Sequence, residues 1–271
     1  MTNPSTHKKN RILAALSGSL LGLLALPAPA SAQEAKGWIV TLGPGAALVP
    51  KYPGAKKDEI RFWPIVDVRR AGSEPRFETP DDSFGISLVR SRTFRFGPAL
   101  NIQRGRDEED AILGIGDVGT SIEGGAFVEA FLADHFRLRG EVRKGFGGHK
   151  GWVADVGGDL ILGRPVDRFH LSVGPRLRLA DGKYGRAFYG VDAEQALATG
   201  LGPHDVDSGL HSVGALSFAN FQLSPRLGIQ GYARYDRLVG DVADSPLVRS
   251  AFGSRSQYEV GLGLTYSFNI G

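Results

Sequence analysis

Residues 258–268 read Tyr258-Glu259-Val260-Gly261-Leu262-Gly263-Leu264-Thr265-Tyr266-Ser267-Phe268, with an apolar side chain at every even position and a polar residue or glycine at every odd one. Because successive side chains of a strand point to opposite faces, a period of two means a strand with one apolar face. Three other stretches obey the same rule. From His135 to Phe146, Phe136, Leu138, Val142 and Phe146 oppose His135, Arg137, Arg139, Glu141 and Arg143, with Lys144 as the one break on the apolar side. From Arg168 to Ala180, Phe169, Leu171, Val173, Pro175, Leu177 and Leu179 oppose Arg168, His170, Ser172, Arg176 and Arg178. From Arg226 to Asp236, Leu227, Ile229, Ala233 and Tyr235 oppose Arg226, Gln230, Tyr232, Arg234 and Asp236.

A soluble β-sandwich also alternates, so the density of arginine and acid on the polar faces decides between the two. Those charges need water or partners. A barrel that is apolar toward lipid and polar toward its lumen provides both. The final strand adds to this reading, because a terminal strand ending in an aromatic is similar to the assembly signal of outer-membrane barrels. Asn269, Ile270 and Gly271, which follow Phe268, are a small departure from it. Residues 137, 139, 141, 143, 176, 178 and 234 are therefore expected to form a hydrogen-bonded network of Arg137, Arg139, Glu141, Arg143, Arg176, Arg178 and Arg234 inside the barrel.

The first 32 residues carry His7, Lys8, Lys9 and Arg11, an apolar stretch from Ile12 to Leu26, and the small triplet Ala30-Ser31-Ala32. That order of regions is a secretory signal peptide cleaved before Gln33. No Cys follows it, which excludes a lipidated N-terminus, and the chain contains none at all. The leader holds three of the 32 Lys and Arg residues and none of the 29 Asp and Glu, so the remainder is formally neutral and offers nothing for a nucleic-acid partner. Beyond residue 32 no run of 18 apolar residues occurs, which leaves strands of about 9 to 11 residues as the means of spanning a membrane.

The expected fold is thus all-β, a single transmembrane antiparallel up-and-down barrel over residues 33–271. Short links fall at Ala71-Gly72-Ser73, Ser91-Arg92, Ala133-Asp134, Arg164-Pro165-Val166-Asp167 and Leu223-Ser224-Pro225. Long loops fall at about 105–121, 181–208 and 239–256, on the external side if the last strand ends in the periplasm. The pattern yields about eleven strands. Bacterial single-chain barrels have even numbers, so one more is expected between Pro75 and Val89, giving about twelve, with ten as the alternative.

Several short stretches carry a family resemblance: Tyr52-Pro53-Gly54, Gly105-Arg106-Asp107, Leu113-Gly114-Ile115-Gly116, Glu123-Gly124-Gly125-Ala126-Phe127, Gly147-Gly148-His149-Lys150-Gly151, Tyr189-Gly190-Val191 and Asp241-Val242-Ala243-Asp244-Ser245-Pro246. In this order and spacing, from about Gly37 to Phe268, the chain resembles the MipA/OmpV family of outer-membrane proteins. The resemblance implies a barrel in the outer membrane of a Gram-negative bacterium, in contact with lipid and lipopolysaccharide. For the family's namesake it implies a scaffold between a murein hydrolase (a lytic transglycosylase) and a peptidoglycan synthase. It implies no catalytic residues and no cofactor.

Four chemical readings compete with that one. Gly114-Ile115-Gly116-Asp117-Val118-Gly119 fits a dinucleotide-binding pattern but lacks the βαβ context. His204, Asp205, Asp207 and His211 could collect a metal ion, although no cysteine or tight His pair supports this over a solvated loop. Ser208, Ser212 or Ser254 with His211 could serve a lipid hydrolase, although no Gly-x-Ser-x-Gly elbow is present. Asp107-Glu108-Glu109-Asp110 could share divalent ions with lipopolysaccharide or simply be solvated. Two functions remain in front: a non-catalytic binding scaffold, and a narrow channel or surface receptor built on the charged lumen and long loops.

Overall fold

The computed structural model describes residues 37–133 and 135–271; the expected signal peptide and its cleavage point lie outside the described residues. The first two barrel strands are each broken by a proline, which cannot donate to a ladder. Pro44 separates β1 (Trp38–Gly43) from β2 (Gly45–Pro50), and Pro64 lies between β3 (Asp58–Phe62) and β4 (Ile65–Arg70). Each pair still acts as one stave, because β1 pairs with β4 and β2 with β3.

Two very short strands, β5 (Phe84–Gly85) and β6 (Val89–Arg90), then precede eight long ones. These are β7 (Phe94–Gln103), β8 (Ser121–Leu132), β9 (Phe136–Gly147), β10 (Trp152–Leu162), β11 (Phe169–Ala180), β12 (Gly209–Gln222), β13 (Leu227–Leu238) and β14 (Ser256–Ile270). Neighbours along the chain pair antiparallel throughout this series. The last strand returns to the first, with Trp38 opposite Ile270 and Leu42 opposite Tyr266.

The barrel therefore has ten long staves, an even number, and β5 with β6 make up the difference from about twelve. The stretch Pro75–Val89, expected to hold a full strand, contains only Phe84–Gly85 and the first residue of β6 in ladder form. Both short strands lie along β7, with Phe84 opposite Leu100 and Val89 opposite Phe96. Among the described residues no ladder joins β3 or β4 to β5, β6 or β7.

The two faces of each stave separate as the alternation requires. On β11, Val173 and Leu177 are 43% and 39% exposed, whereas His170 and Arg176 are 4% and 6% exposed. On β9, Leu138 and Val142 face outward while Arg137 and Arg143 are buried. Exposed aromatics gather at both ends: Trp38, Phe94, Phe136, Phe169, Phe221 and Tyr266 near the short turns, and Phe146, Trp152, Tyr235 and Tyr258 near the long loops. This is the apolar band with two aromatic girdles of a membrane barrel. Lys144, the exception in the sequence pattern, sits at the loop-end rim, where its ammonium lies 5.4 Å from the Trp152 ring and bonds the Lys150 carbonyl. An outward lysine is tolerable there because its tip reaches the interface.

The long loops carry short helices, α1 (Gly182–Tyr189), α2 (Ala193–Thr199), α3 (Gly240–Asp244) and α4 (Pro246–Arg249). No helix among the described residues is long and apolar enough to cross a membrane. The loops pack into a cap with two apolar clusters, one around Tyr184, Phe188, Tyr189, Val206 and Val242, the other around Tyr52, Ile115, Val191 and Leu247.

Candidate functional site in the lumen

Cross-strand register decides which lumen charges meet. On β9, Arg137 stands opposite Asp159 and Glu141 opposite Asp155 of β10, while Arg139 stands opposite Glu129 of β8. Asp155 also stands opposite Arg178 of β11. The side chains then close into pairs. Arg137 meets Glu129 at 2.7 Å and Asp159 at 3.0 Å. Arg139 meets Glu141 at 3.0 Å, and Arg143 bridges Glu123 at 2.8 Å, Asp155 at 2.6 Å and Glu141. Arg178 grips Asp155 with two nitrogens, at 2.7 and 3.1 Å. The like-charged neighbours Asp155 and Glu141 are tolerated because Arg143 lies between them.

The segment Thr79–Ser83, which precedes β5, supplies the remaining partners. Asp82 accepts from Arg137 at 2.5 Å, and Asp81 accepts from Arg176 at 2.6 Å and lies 3.5 Å from Arg234. Ser83 donates to Glu141 at 2.7 Å, and the Thr79 amide donates to Asp82 at 2.9 Å, which makes a compact polar turn. Below it, Phe77 is buried against His170 and lies 5.4 Å from the Arg137 guanidinium. The chain thus folds into its own lumen and is latched there by two aspartates. Arg137, Arg139, Glu141, Arg143, Arg176, Arg178 and Arg234 each take part in these ion pairs.

The residues singled out by family resemblance gather mainly in the cap and where it meets the staves. Arg106 is buried and donates to the Phe188 carbonyl at 2.8 Å and the Gly116 carbonyl at 3.3 Å, and burial pushes its guanidinium down from the ordinary arginine range. Gly105 precedes it in the bridge to Val118. Tyr52 is in the second apolar cluster, Pro53 lines a cavity beneath the cap, and the Gly54 amide donates to Gln257 at 3.0 Å. Ser245 donates to the Tyr189 carbonyl at 2.6 Å and accepts from the Leu247 amide. Asp241 accepts from the Asp207 amide, and Asp244 pairs with Arg255 at 2.8 Å. Burial also raises the Tyr189 hydroxyl well above the ordinary tyrosine value.

His149, between Gly148 and Gly151, joins the two regions. Its Nδ1 accepts from the Gly151 amide at 3.1 Å, so Nε2 carries the proton that it donates to Glu123 at 2.9 Å. A methyl group at Gly145 would lie 2.1 Å from the imidazole, so only glycine lets the ring reach this position.

The four competing chemistries are placed as follows. Gly114 to Gly119 is a loop whose Gly114 and Gly116 amides donate to Glu108, with no helix after it. The acidic run binds its own surroundings in the same way, and Asp110 pairs with Lys51, which raises the lysine's proton affinity. His204 Nε2 donates to the Asp241 carbonyl at 2.8 Å, and among the described residues no three His, Asp or Glu are grouped to hold a metal ion. His211 is buried against Tyr184 and Tyr189, and neither ring nitrogen has a hydrogen-bond partner, so it is paired with neither Ser208 nor Ser212. Ser254 is engaged with Ser256.

Apart from Glu141, sequence reasoning missed the acids of the network: Asp81, Asp82, Glu123, Glu129, Asp155, Asp159 and Asp236. The available signal was Thr79-Pro80-Asp81-Asp82-Ser83, a polar turn sequence inside a stretch that lacks alternation.

The family model described as "MltA-interacting protein MipA" matches residues 42–268. No curated protein matches the chain. Solved structures similar to it include an outer-membrane channel from Pseudomonas putida F1, with a TM-score of 0.41 and 9% identity over 90% of this chain and 100% of that one. Others are the monoaromatic hydrocarbon channel CymD (TM-score 0.37, 9% identity, 88% and 89%) and Neisserial surface protein A (0.26, 11%, 87% and 100%).

Proposed function

The chain belongs to the MltA-interacting protein MipA family, and from that membership we propose that it is a non-catalytic outer-membrane barrel whose task is binding. In this reading it is a scaffold whose short-turn face meets a murein hydrolase of the MltA type in the periplasm. The observation that carries the reading is the charge at that face. Arg90, Arg92, Arg164, Arg168 and Arg226 are exposed around the short turns, while the acids of these turns are Glu74, Asp134 by its place in the sequence, and Asp167, the last paired with Arg164 at 3.3 Å. Short turns face the periplasm in bacterial barrels, so this arginine collar suits an acidic protein surface there. At the opposite rim, Lys144 and Lys150 suit the phosphates of lipopolysaccharide.

The test is direct binding of the purified barrel to a purified murein hydrolase of that type. Replacing Arg92, Arg164 and Arg226 together by Glu is expected to weaken binding about tenfold or more, since like charges across an interface cost on the order of kcal/mol. The Lys56→Glu/Lys57→Glu variant is expected to bind as the parent does. Absence of binding, or equal loss in both variants, contradicts the scaffold reading.

A narrow gated channel or receptor is the second reading. It is favoured by cavities of about 140 and 230 Å³ between the latch and the cap. Hydrolysis of ester or lipid substrates is not expected.

A further inference from the structure

The ion pairs of the lumen form one connected network. Arg95, Arg137, Arg139, Arg143, Arg176, Arg178 and Arg234 are joined to Asp81, Asp82, Glu123, Glu129, Glu141, Asp155, Asp159 and Asp236, with His149 on Glu123. Seven guanidiniums therefore meet eight carboxylates. Glu59 and Asp67, inward on the first staves, pair with Arg61 and Arg69, whereas Glu259 of β14 is inward and among the described residues has neither an ion-pair nor a hydrogen-bond partner. It stands opposite Arg234 in register, but that guanidinium is turned to Asp236 at 2.5 Å and to Asp81.

Glu259 lines both cavities of the upper lumen, which share it with Asn101, Arg178 and Arg234. Tyr232 lines the deeper one beside it. The Tyr232 ring reaches this place because residue 261 is glycine: a Cβ there would lie 2.1 Å from the ring. Trp63 supports the ring edge-on, with centroids 5.1 Å apart. In the deeper cavity Asp81, Asp82 and Glu259 stand against Arg143, Arg178 and Arg234, and of these six only Glu259 lacks a charged partner, so an unpaired carboxylate next to an aromatic ring is left there, complementary to an ammonium group.

We propose that the upper lumen is a binding site for a small organic cation, with Glu259 as its counter-ion and Tyr232 as its aromatic wall. The arginines lining the deeper cavity do not repel such a ligand strongly, because each of Arg143, Arg178 and Arg234 is already neutralised by at least one carboxylate within 3 Å; the outer cavity also carries Arg61 and Arg104, so the ammonium is placed in the deeper one, beside Tyr232. The site is independent of the scaffold reading, which concerns the opposite end of the barrel.

The test is calorimetric titration of the folded, detergent-solubilised barrel with 1,4-diaminobutane, and with succinate as its anionic counterpart. Saturable binding of the diamine and none of succinate is expected. Glu259→Gln keeps the shape and removes the charge; it is expected to weaken diamine binding roughly ten- to a hundredfold, as for a lost hydrogen bond to a charged group. Tyr232→Leu should weaken it about two- to fivefold. Equal affinity in Glu259→Gln, no diamine binding by the parent, or succinate binding as tight as diamine would overturn the proposal. The contest between the two probes on the parent protein decides the matter even if a variant fails to fold.

Discussion

The lumen and the cap solve opposite problems a short distance apart. Inside the staves, large buried side chains such as Arg137, Arg143, Glu123 and Glu129 fill the interior, and most leucines and valines face out, with Leu216 and Val153 as inward exceptions. Above the staves, Phe188, Ile115, Val206 and Val242 are buried and the lysines and aspartates face out, as in any water-soluble domain. The change follows the solvent. Where lipid surrounds the chain, apolar surface is best left outside and the interior must satisfy charge internally. Where water surrounds it, apolar burial drives packing again. The two regimes fail differently, since removing one partner strands a buried charge in the lumen but only opens a void or frees a loop in the cap.

That contrast can be attacked at several points. The largest effect is expected for Arg137→Met, because it removes a buried cation shared by three carboxylates at once and leaves Glu129, Asp159 and Asp82 only their second partners Arg95, Arg176 and Arg139. Removing one partner of a buried ion pair costs about 3 to 5 kcal/mol, so urea titration of the heat-modifiable band should show a clear loss, and an unchanged midpoint would refute the ionic core. Val173→Arg moves a charge to the lipid face at mid-stave and should cost roughly 2 to 4 kcal/mol of folded yield. Arg178→Gln should be milder, because Asp155 keeps Arg143 at 2.6 Å; equal yields for these two variants would mean that the faces are reversed. The smallest effect is expected for Ser245→Ala, which removes the bond to Tyr189 and the cap of α4. A loss of about 1 kcal/mol should appear as faster protease cleavage within 239–256 while the heat-modifiable shift stays put, and loss of the shift would tie the cap to barrel folding.

The staves were readable because lipid imposes a single period on them: the faces of residues 136–146, 169–179, 227–235 and 258–268 are those that alternation assigns. The first two staves were harder because Pro44 and Pro64 interrupt them. Residues 79–83 could not be separated from an ordinary turn, since Thr, Pro, Asp and Ser are turn formers whether a segment lies outside the barrel or within it. The cap helices have eight residues or fewer, too few for helical periodicity. Their caps were nonetheless written in the sequence, with Asp192 and Gln195 as a capping box and Ser245 before Pro246. For the arginines, the sequence identified the face but not the partner, because Asp81 lies 95 residues from Arg176 and only the folded lumen brings them together.

The central claim is that the lumen is filled and latched, so that the barrel binds at its surfaces and in its upper cavity and does not stand open. Single-channel recording in planar bilayers tests it most directly, comparing the parent protein with the Asp81→Asn/Asp82→Asn variant. The parent is expected to give no steady conductance, and the variant, with its latch to Arg137, Arg176 and Arg234 weakened, to give resolved openings. A steady open channel in the parent, with a selectivity that changes when Arg139 and Arg176 are replaced, would contradict the account and make transport the better reading.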